Sequence, residues 1–349
     1  MKSKTKGLFL DVSEFSILAA KTSGYKLPIT IEDLTEISLK EGQDEDEVKS
    51  LLEEFVDFQG NDYFVSVCGV YPESRFTRYY EADTVNKAKD VNHLRKVLQE
   101  QFSIDPDKNV LSILDANDGS DYDMQKSLSK KLLFCGAKAE ELQKIQNSLL
   151  SYAIYPEQMT IASISTLGGF CDYAKFKKMQ SPLLCLEMTS SSANIFIQNR
   201  GKVEVTRPVS FGLDSIYPLL QKELGLKDET SARKLFYSNT FDFAEMGPKL
   251  MSRITKELQA CTGFYEVQTG QTIDKILLSV LPKNLSWIEQ TLSRALGLDV
   301  IKPDFELWLE SLQIKLGESA DLSGLSGRWF SVFSLMAQFH LRESEASNG

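Results

Sequence analysis

The sequence predicts a duplicated α/β fold of two domains with an α+β unit inserted into the first. Three observations carry that prediction. The stretch from Leu183 to Gly212 reads as apolar strand, acid, polar turn, strand. Leu183-Leu184-Cys185-Leu186 stops at Glu187, the turn runs through Thr189-Ser190-Ser191-Ser192, and strand resumes from Asn194 to Ile197. Asn199-Arg200-Gly201 then turns the chain back through Val203, Val205 and Val209. The second observation is that the N-terminus repeats this layout. Gly7-Leu8-Phe9-Leu10 ends on Asp11, followed by Val12-Ser13-Glu14-Phe15-Ser16 and the apolar run Ile17 to Ala20. Two copies of one pattern imply two similar halves facing each other across a cleft. The third is that residues 81–160 carry their own helix and strand patterns between pieces of the first half.

The elements follow in order. Strands are predicted over 8–11 and 15–21. The next element, 30–39, carries Ile31, Leu34, Ile37 and Leu39, a spacing that leaves its type open. Asp44-Glu45-Asp46-Glu47 opens a helix whose face is Val48, Leu51, Leu52 and Phe55, since acids in a first turn suit the positive end of the helix dipole. A buried strand, 63–70, leads into Tyr71-Pro-Glu-Ser-Arg-Phe-Thr-Arg-Tyr-Tyr80. That stretch reads either as a hinge strand into a new subdomain or as part of a partner groove, where Tyr and Arg are favoured. Within 81–160 come a helix over 87–102, strands over 110–116 and 131–137, a helix around Leu142, Ile145 and Leu149, and a strand over 158–163. A short helix at 166–173 precedes Lys175-Phe176-Lys177-Lys178, a solvated basic loop.

In the second half, helices are predicted over 215–224, from 230, over 248–265 and around Ile288, Leu292 and Leu296. Strands are predicted over 275–281 and 299–301. A closing helix over 325–341 carries Trp329, Val332, Phe333, Met336 and His340 on one stripe, as core helices do.

Composition narrows the function. The 349 residues carry 39 basic and 49 acidic side chains, a net charge of −10, which argues against a nucleic-acid partner. The apolar runs are far shorter than a membrane span, and Gly7 to Leu10 is too short for a signal peptide, so a cytoplasmic location without direct membrane insertion is expected. Five scattered cysteines (Cys68, Cys135, Cys171, Cys185 and Cys261) without a CxxC pair read as reduced and buried. The two histidines, His93 and His340, lie on separate predicted helices, which disfavours a His-based metal site or catalytic triad.

Phe76-Thr-Arg-Tyr-Tyr80 and Gly201-Lys-Val-Glu-Val-Thr-Arg-Pro-Val-Ser-Phe-Gly212 resemble, in order and spacing, motifs of the actin-like ATPase superfamily, with greatest similarity to its PilM-like branch, related to FtsA. The resemblance covers roughly residues 5–340. It implies an actin-like (ribonuclease H-like) duplicated fold. Subdomain IA would span 1–80 and 161–182, inserted subdomain IC 81–160 and domain II 183–310, with 311–349 returning to IA.

The resemblance also implies a nucleotide cleft, against which three loops are compared. The first phosphate loop of the family reads Asp-Ile-Gly-Ser followed by small residues and a Lys. Here Asp11 is kept, Ser13 replaces the glycine, Glu14 adds a negative charge, Ser16 follows, and Leu18 stands where Lys is common. The second loop reads Glu187-Met188-Thr189-Ser190-Ser191-Ser192-Ala193, with Thr189 in place of glycine and Ala193 in place of threonine. Glu187 could still organise a metal through water. The third, glycine-rich in the family, is Ser279-Val280-Leu281-Pro282-Lys283-Asn284.

Degeneration of all three loops leaves vestigial nucleotide positions at Asp11, Ser13, Ser16, Glu187, Thr189 and Ser190. No catalytic residue, metal or cofactor is expected; ATP with Mg belongs to an alternative reading as a residual ATPase or an FtsA-like filament protein. PilM-like proteins bind the cytoplasmic N-terminal tail of a PilN-like membrane protein with one span, in a groove between IA and IC. The resemblance thus implies a scaffold of a type IV pilus or type II secretion-like machine. It would lie peripherally at the inner face of the cytoplasmic membrane, within reach of pilus motor ATPases. Phe76, Arg78, Tyr79 and Tyr80 are the expected groove residues.

Overall fold

The computed structural model describes residues 6–39, 44–56, 63–238 and 240–337. The chain forms two compact units, 1–176 with 303–349, and 177–302. The first unit contains β1 (Gly7–Val12), β2 (Ser16–Thr22), β3 (Ile29–Ser38), α1 (Glu45–Val56) and β4 (Phe64–Val70). It continues with β5 (Phe76–Glu81), α2 (Val85–Lys89), α3 (Val91–Glu100), β6 (Asn109–Asp115), β7 (Lys131–Lys138), α4 (Ala139–Ser151), β8 (Ile154–Ile161) and α5 (Ala162–Phe176). The second unit contains β9 (Leu183–Met188), β10 (Ala193–Asn199), β11 (Lys202–Val209), α6 (Tyr217–Leu224), α7 (Glu229–Phe236), α8 (Gly247–Leu250), α9 (Ser252–Thr269), β12 (Lys275–Ser279), α10 (Ser286–Leu296) and β13 (Asp299–Val300). The chain returns to the first unit with α11 (Glu306–Ser311), β14 (Ile314–Leu316) and a helix over 330–337.

The duplication is visible in the strand order. The first sheet runs β14-β3-β2-β1-β4-β8 and the second β11-β10-β9-β12-β13. In each, three antiparallel strands are followed by two parallel ones, so apart from the short edge strand β14 the two sheets have one topology. A third sheet, β5-β7-β6, belongs to the insertion in the first unit.

Alternation along β1 and β2 sends Leu8, Leu10, Ile17 and Ala19 to one face, where they pack with Val48 and Leu52 of α1 and Leu149 of α4. The opposite layer is built from α5 and the helix over 330–337. Their backbones come close enough that a Cβ on Gly169 would stand 3.0 Å from the Phe330 carbonyl. Around them Tyr173, Phe305, Trp308 and Phe330 meet edge to face, which favours aromatic rings, and Trp308 Nε1 donates to Asp172 at 2.8 Å.

Four sequence expectations are sharpened. The element at 30–39 is a strand; Lys21 faces Asp33 while Thr22 faces Ile31, so Glu32 is an extra residue whose bulge breaks the alternation. The helix predicted over 87–102 is two helices, because Asp90 ends α2 and caps α3 with its carboxylate accepting from the Asn92 and His93 backbone N–H groups. The helix predicted over 166–173 spans Ala162–Phe176 and is buried on nearly all sides, which hides its periodicity. The closing helix begins as a 3-10 turn at Gly327–Trp329, and His340 lies outside the described residues.

All five cysteines are free and buried, and burial pushes the thiols of Cys68 and Cys171 up to about 12. A thiol reagent applied at mildly alkaline pH is expected to leave the native protein unmodified and to titrate five thiols after unfolding in denaturant.

Candidate functional site

The two turns where the resemblance leads one to expect phosphate loops close in the same way. In the first, the Ser13 backbone N–H donates to the Ser16 carbonyl at 3.0 Å, and the Ser13 hydroxyl donates to that same carbonyl at 3.0 Å. In the second, the Thr189 N–H donates to the Ser192 carbonyl at 2.9 Å and the Thr189 hydroxyl joins it at 3.1 Å. Ser13 and Thr189 are the two positions where the family resemblance calls for glycine. A phosphate loop needs backbone N–H groups turned outward with no side chain in the way. Here hydroxyl side chains draw the backbone onto itself instead, as Ser and Thr do in local turns. Ser13 Oγ also accepts the N–H groups of Phe15 at 3.3 Å and Ser16 at 3.2 Å, so donors that could have met an anion face inward.

Both turns are also tied down from behind. Asp11 is 3% exposed and accepts a hydrogen bond from the Tyr71 hydroxyl at 3.0 Å. The Ser16 hydroxyl accepts from the buried Arg328, whose other terminal nitrogen bonds the partly buried Glu36 at 2.6 Å. In the second unit, Glu187 is buried and accepts from Asn194 at 3.1 Å. Leu213 and Asp214 donate their N–H groups to the carbonyls of Thr189 and Ser190, both at 3.0 Å. Gly212 allows this approach, since a Cβ there would stand 2.1 Å from the Ser190 carbonyl oxygen. Leu18, at the family's lysine position, is buried in β2.

The third loop adopts a conformation suited to glycine. Val280, directly after β12, has φ of 78°, in the left-handed region that a β-branched residue resists.

The first unit also contains a cavity of about 540 Å³. One wall is the face of the inserted sheet made by Val110, Ser112 and Leu114 of β6 with Cys135 and Gly136 of β7. The other is Val70, Met159, Thr160, Ile161 and Ile164, with Leu142 of α4 alongside. Gly119, Ser120 and Asp121 form the remaining edge, and Asp121 is the one carboxylate. Val110 is 55% exposed although it lies on a strand. β6 is an edge strand whose second face, Leu111 and Ile113, packs into the insertion's core, so both of its faces are apolar for different reasons.

The hinge between the two walls is fixed by charge-assisted hydrogen bonds. Glu141 at the start of α4 accepts from the Glu73 N–H, the Ser74 N–H and the Ser74 hydroxyl, bridging the chain's outward and return crossings. Arg75 is buried, lies over the Tyr71 ring at 5.7 Å, and donates to the Pro72 carbonyl at 3.0 Å and to Ser163 of α5 at 3.2 Å. Tyr71 therefore touches both Asp11 and the hinge.

Strand alternation separates the four expected groove residues. Phe76 and Tyr80 point into the insertion's core, and Tyr80 bonds His93 at 2.9 Å. Arg78 shares their face, donates to the Thr77 carbonyl at 3.0 Å, and is shifted below the usual guanidinium range by desolvation. Tyr79 lies on the opposite face, opposite Leu133 and on the cavity's side of the sheet, with its hydroxyl on Glu81 at 3.1 Å. Phe76 supports the cavity from beneath, since a Cβ on Gly136 would meet its ring at 2.8 Å. The residues that line the cavity were missed in sequence because a half-covered strand and a buried one look alike as apolar runs. Among the described residues, no three His, Cys, Asp or Glu side chains gather as a metal site would require, and no helix is long and apolar enough to cross a membrane.

Replacing the buried Arg328 with Ala removes the partner of the partly buried Glu36 and of the Ser16 hydroxyl, and is expected to destabilise the protein by about 2 kcal/mol, read as a lowered denaturant midpoint.

The sequence matches no protein-family model and no curated protein. Solved structures do match. One, described as a PilM–PilN type IV pilus biogenesis complex, gives a TM-score of 0.67 at 12% identity over 97% of this chain and 99% of that chain. Two are more distant. The cytoplasmic domain of EpsL, an inner-membrane component of the Vibrio cholerae type II secretion system, gives 0.40 at 10% identity, covering 97% and 95%. A Bacteroides thetaiotaomicron protein with an actin-like ATPase fold and unknown function gives 0.39 at 12% identity, covering 86% and 92%. Only the first is near enough to carry an argument, and at that identity the argument concerns architecture. With the doubled sheet topology, it establishes that this chain has a two-domain actin-like fold with an inserted subdomain, similar to that of a chain in the PilM–PilN complex.

Proposed function

We propose that this protein is a non-catalytic scaffold that holds a short apolar segment of a membrane protein in the cavity between β6–β7 and β8–α5. The occupant would be the cytoplasmic tail of a PilN-like protein with one span, and the assembly a pilus or secretion-like envelope machine. The cavity itself is the observation that carries this reading: a preformed apolar trough beside an edge strand suits an extended peptide. Asp121 at its margin favours a tail carrying a cationic residue among apolar ones. The PilM–PilN likeness supports the choice of partner class. The position would be peripheral at the inner face of the cytoplasmic membrane, reached through the partner, and pilus motor ATPases would be more distant associates.

The same-patterned closure of the Ser13 and Thr189 turns supports a loss of ATP hydrolysis, since neither turn offers an open cradle of N–H groups. Titration calorimetry with ATP and Mg is expected to give no binding heat in the micromolar range. A tight, Mg-dependent affinity would remove the non-catalytic reading and leave the ATPase alternative.

Tail docking is checked with fluorescent peptides of candidate tails, each the cytoplasmic N-terminal segment of a membrane protein with one span. Leu142→Arg and Met159→Arg, which crowd the cavity, are expected to weaken binding about tenfold or more. Arg78→Ala and Tyr80→Ala, on the other face of the insertion, are expected to change it little. The reverse ranking would move the site to β5.

A further inference from the structure

α9 of the second unit carries a surface that the tail-docking reading does not use. Its inner face is regular: Ile254, Leu258, Cys261 and Tyr265 are buried at helical spacing. On the outer face Ala260, Gly263, Phe264 and Val267 follow the same spacing, and they are apolar too. Phe264 is 65% exposed and Val267 is 87% exposed, the latter the largest value among the exposed large apolar side chains described. Phe264 and Val267 together leave apolar area in water on one helix face, area that association would cover.

Gly263 is a second, independent observation. A glycine inside a helix is less favourable than alanine, and without a side chain it leaves the helix surface open to close approach by another group. Within the chain nothing makes that approach: apart from its chain neighbours and its own helix backbone, no atom lies within 4 Å of the place its Cβ would occupy. The hollow is open to an outside group.

We propose that this face pairs with the same face of a second copy, the two α9 helices antiparallel about a two-fold axis at Gly263–Phe264. A two-fold contact must be self-complementary. This register sets the Phe264 ring into the second copy's Gly263 hollow, Val267 over Ala260, and Gln259 opposite Gln268. Charge favours the arrangement. Two chains each of net charge −10 repel, so a contact between copies needs a neutral strip, and residues 258–265 carry no charged side chain. Lys256 then meets the second copy's Thr269–Gly270, the carbonyl end of α9, where a cation is stabilised by the helix dipole. Glu257, on the same turn as Lys256, is drawn aside by Arg207 at 2.6 Å.

Sedimentation velocity across the micromolar range tests this on the full chain. The wild type is expected to shift from monomer to dimer with concentration. Phe264→Glu, which brings two like charges together, and Gly263→Leu, which fills the hollow, are expected to remain monomeric with unchanged circular dichroism, because the face is exposed in the single chain. Lys256→Glu is expected to raise the dissociation constant several-fold. With the five native thiols buried, Gly263→Cys is expected to cross-link under mild oxidation as a symmetric dimer. A wild type that stays monomeric throughout, or a Phe264→Glu variant that associates as well as the wild type, overturns the proposal.

Discussion

Each half of this molecule is organised around one small constraint: a central strand ends on a buried acid, and the turn after it is closed by a hydroxyl side chain on a carbonyl three residues on. Asp11 with Ser13 and Glu187 with Thr189 are the two instances. The strands before and after such a turn must pair antiparallel, and the meander they start then fixes the order of the remaining strands. A closure of this kind is local and satisfied by the chain itself, so the hairpin needs no ligand to hold its shape. A glycine-rich loop has the opposite economy, because its open N–H groups gain most when an anion arrives.

The hairpins, the insertion and the repeated pattern were legible in the sequence because each is written in short range: an apolar run, an acid, a polar turn. Asp90 is an example at the other extreme. It looked like one more polar residue in a continuous helix, but its carboxylate is placed to cap a new one, and a single side chain broke the periodic reading. The bulge at Glu32 did the same for β3.

The cavity was not legible, for a physical reason. Its walls meet only because residues far apart in sequence, Val110 on β6 and Ile161 on β8, are brought across from each other by two crossings of the chain. The clamp that sets those crossings depends on Glu141 reaching Ser74, and on Arg75 reaching Ser163. Nothing in the local pattern around Phe76–Tyr80 reveals which face of β5 looks toward that space. The aromatic and arginine stretch lies at the hinge, and the cavity's lining includes plainer residues: Ser112, Leu142, Met159.

Val280 holds the turn after β12 in a conformation that its own side chain disfavours. A valine does not choose a left-handed backbone; its neighbours impose one, with Ser279 and Leu281 both buried on either side. The shape of that turn is therefore a property of the surrounding packing rather than of the residue that occupies it. Architecture of this kind is buffered against substitution at the position where the backbone is most demanding.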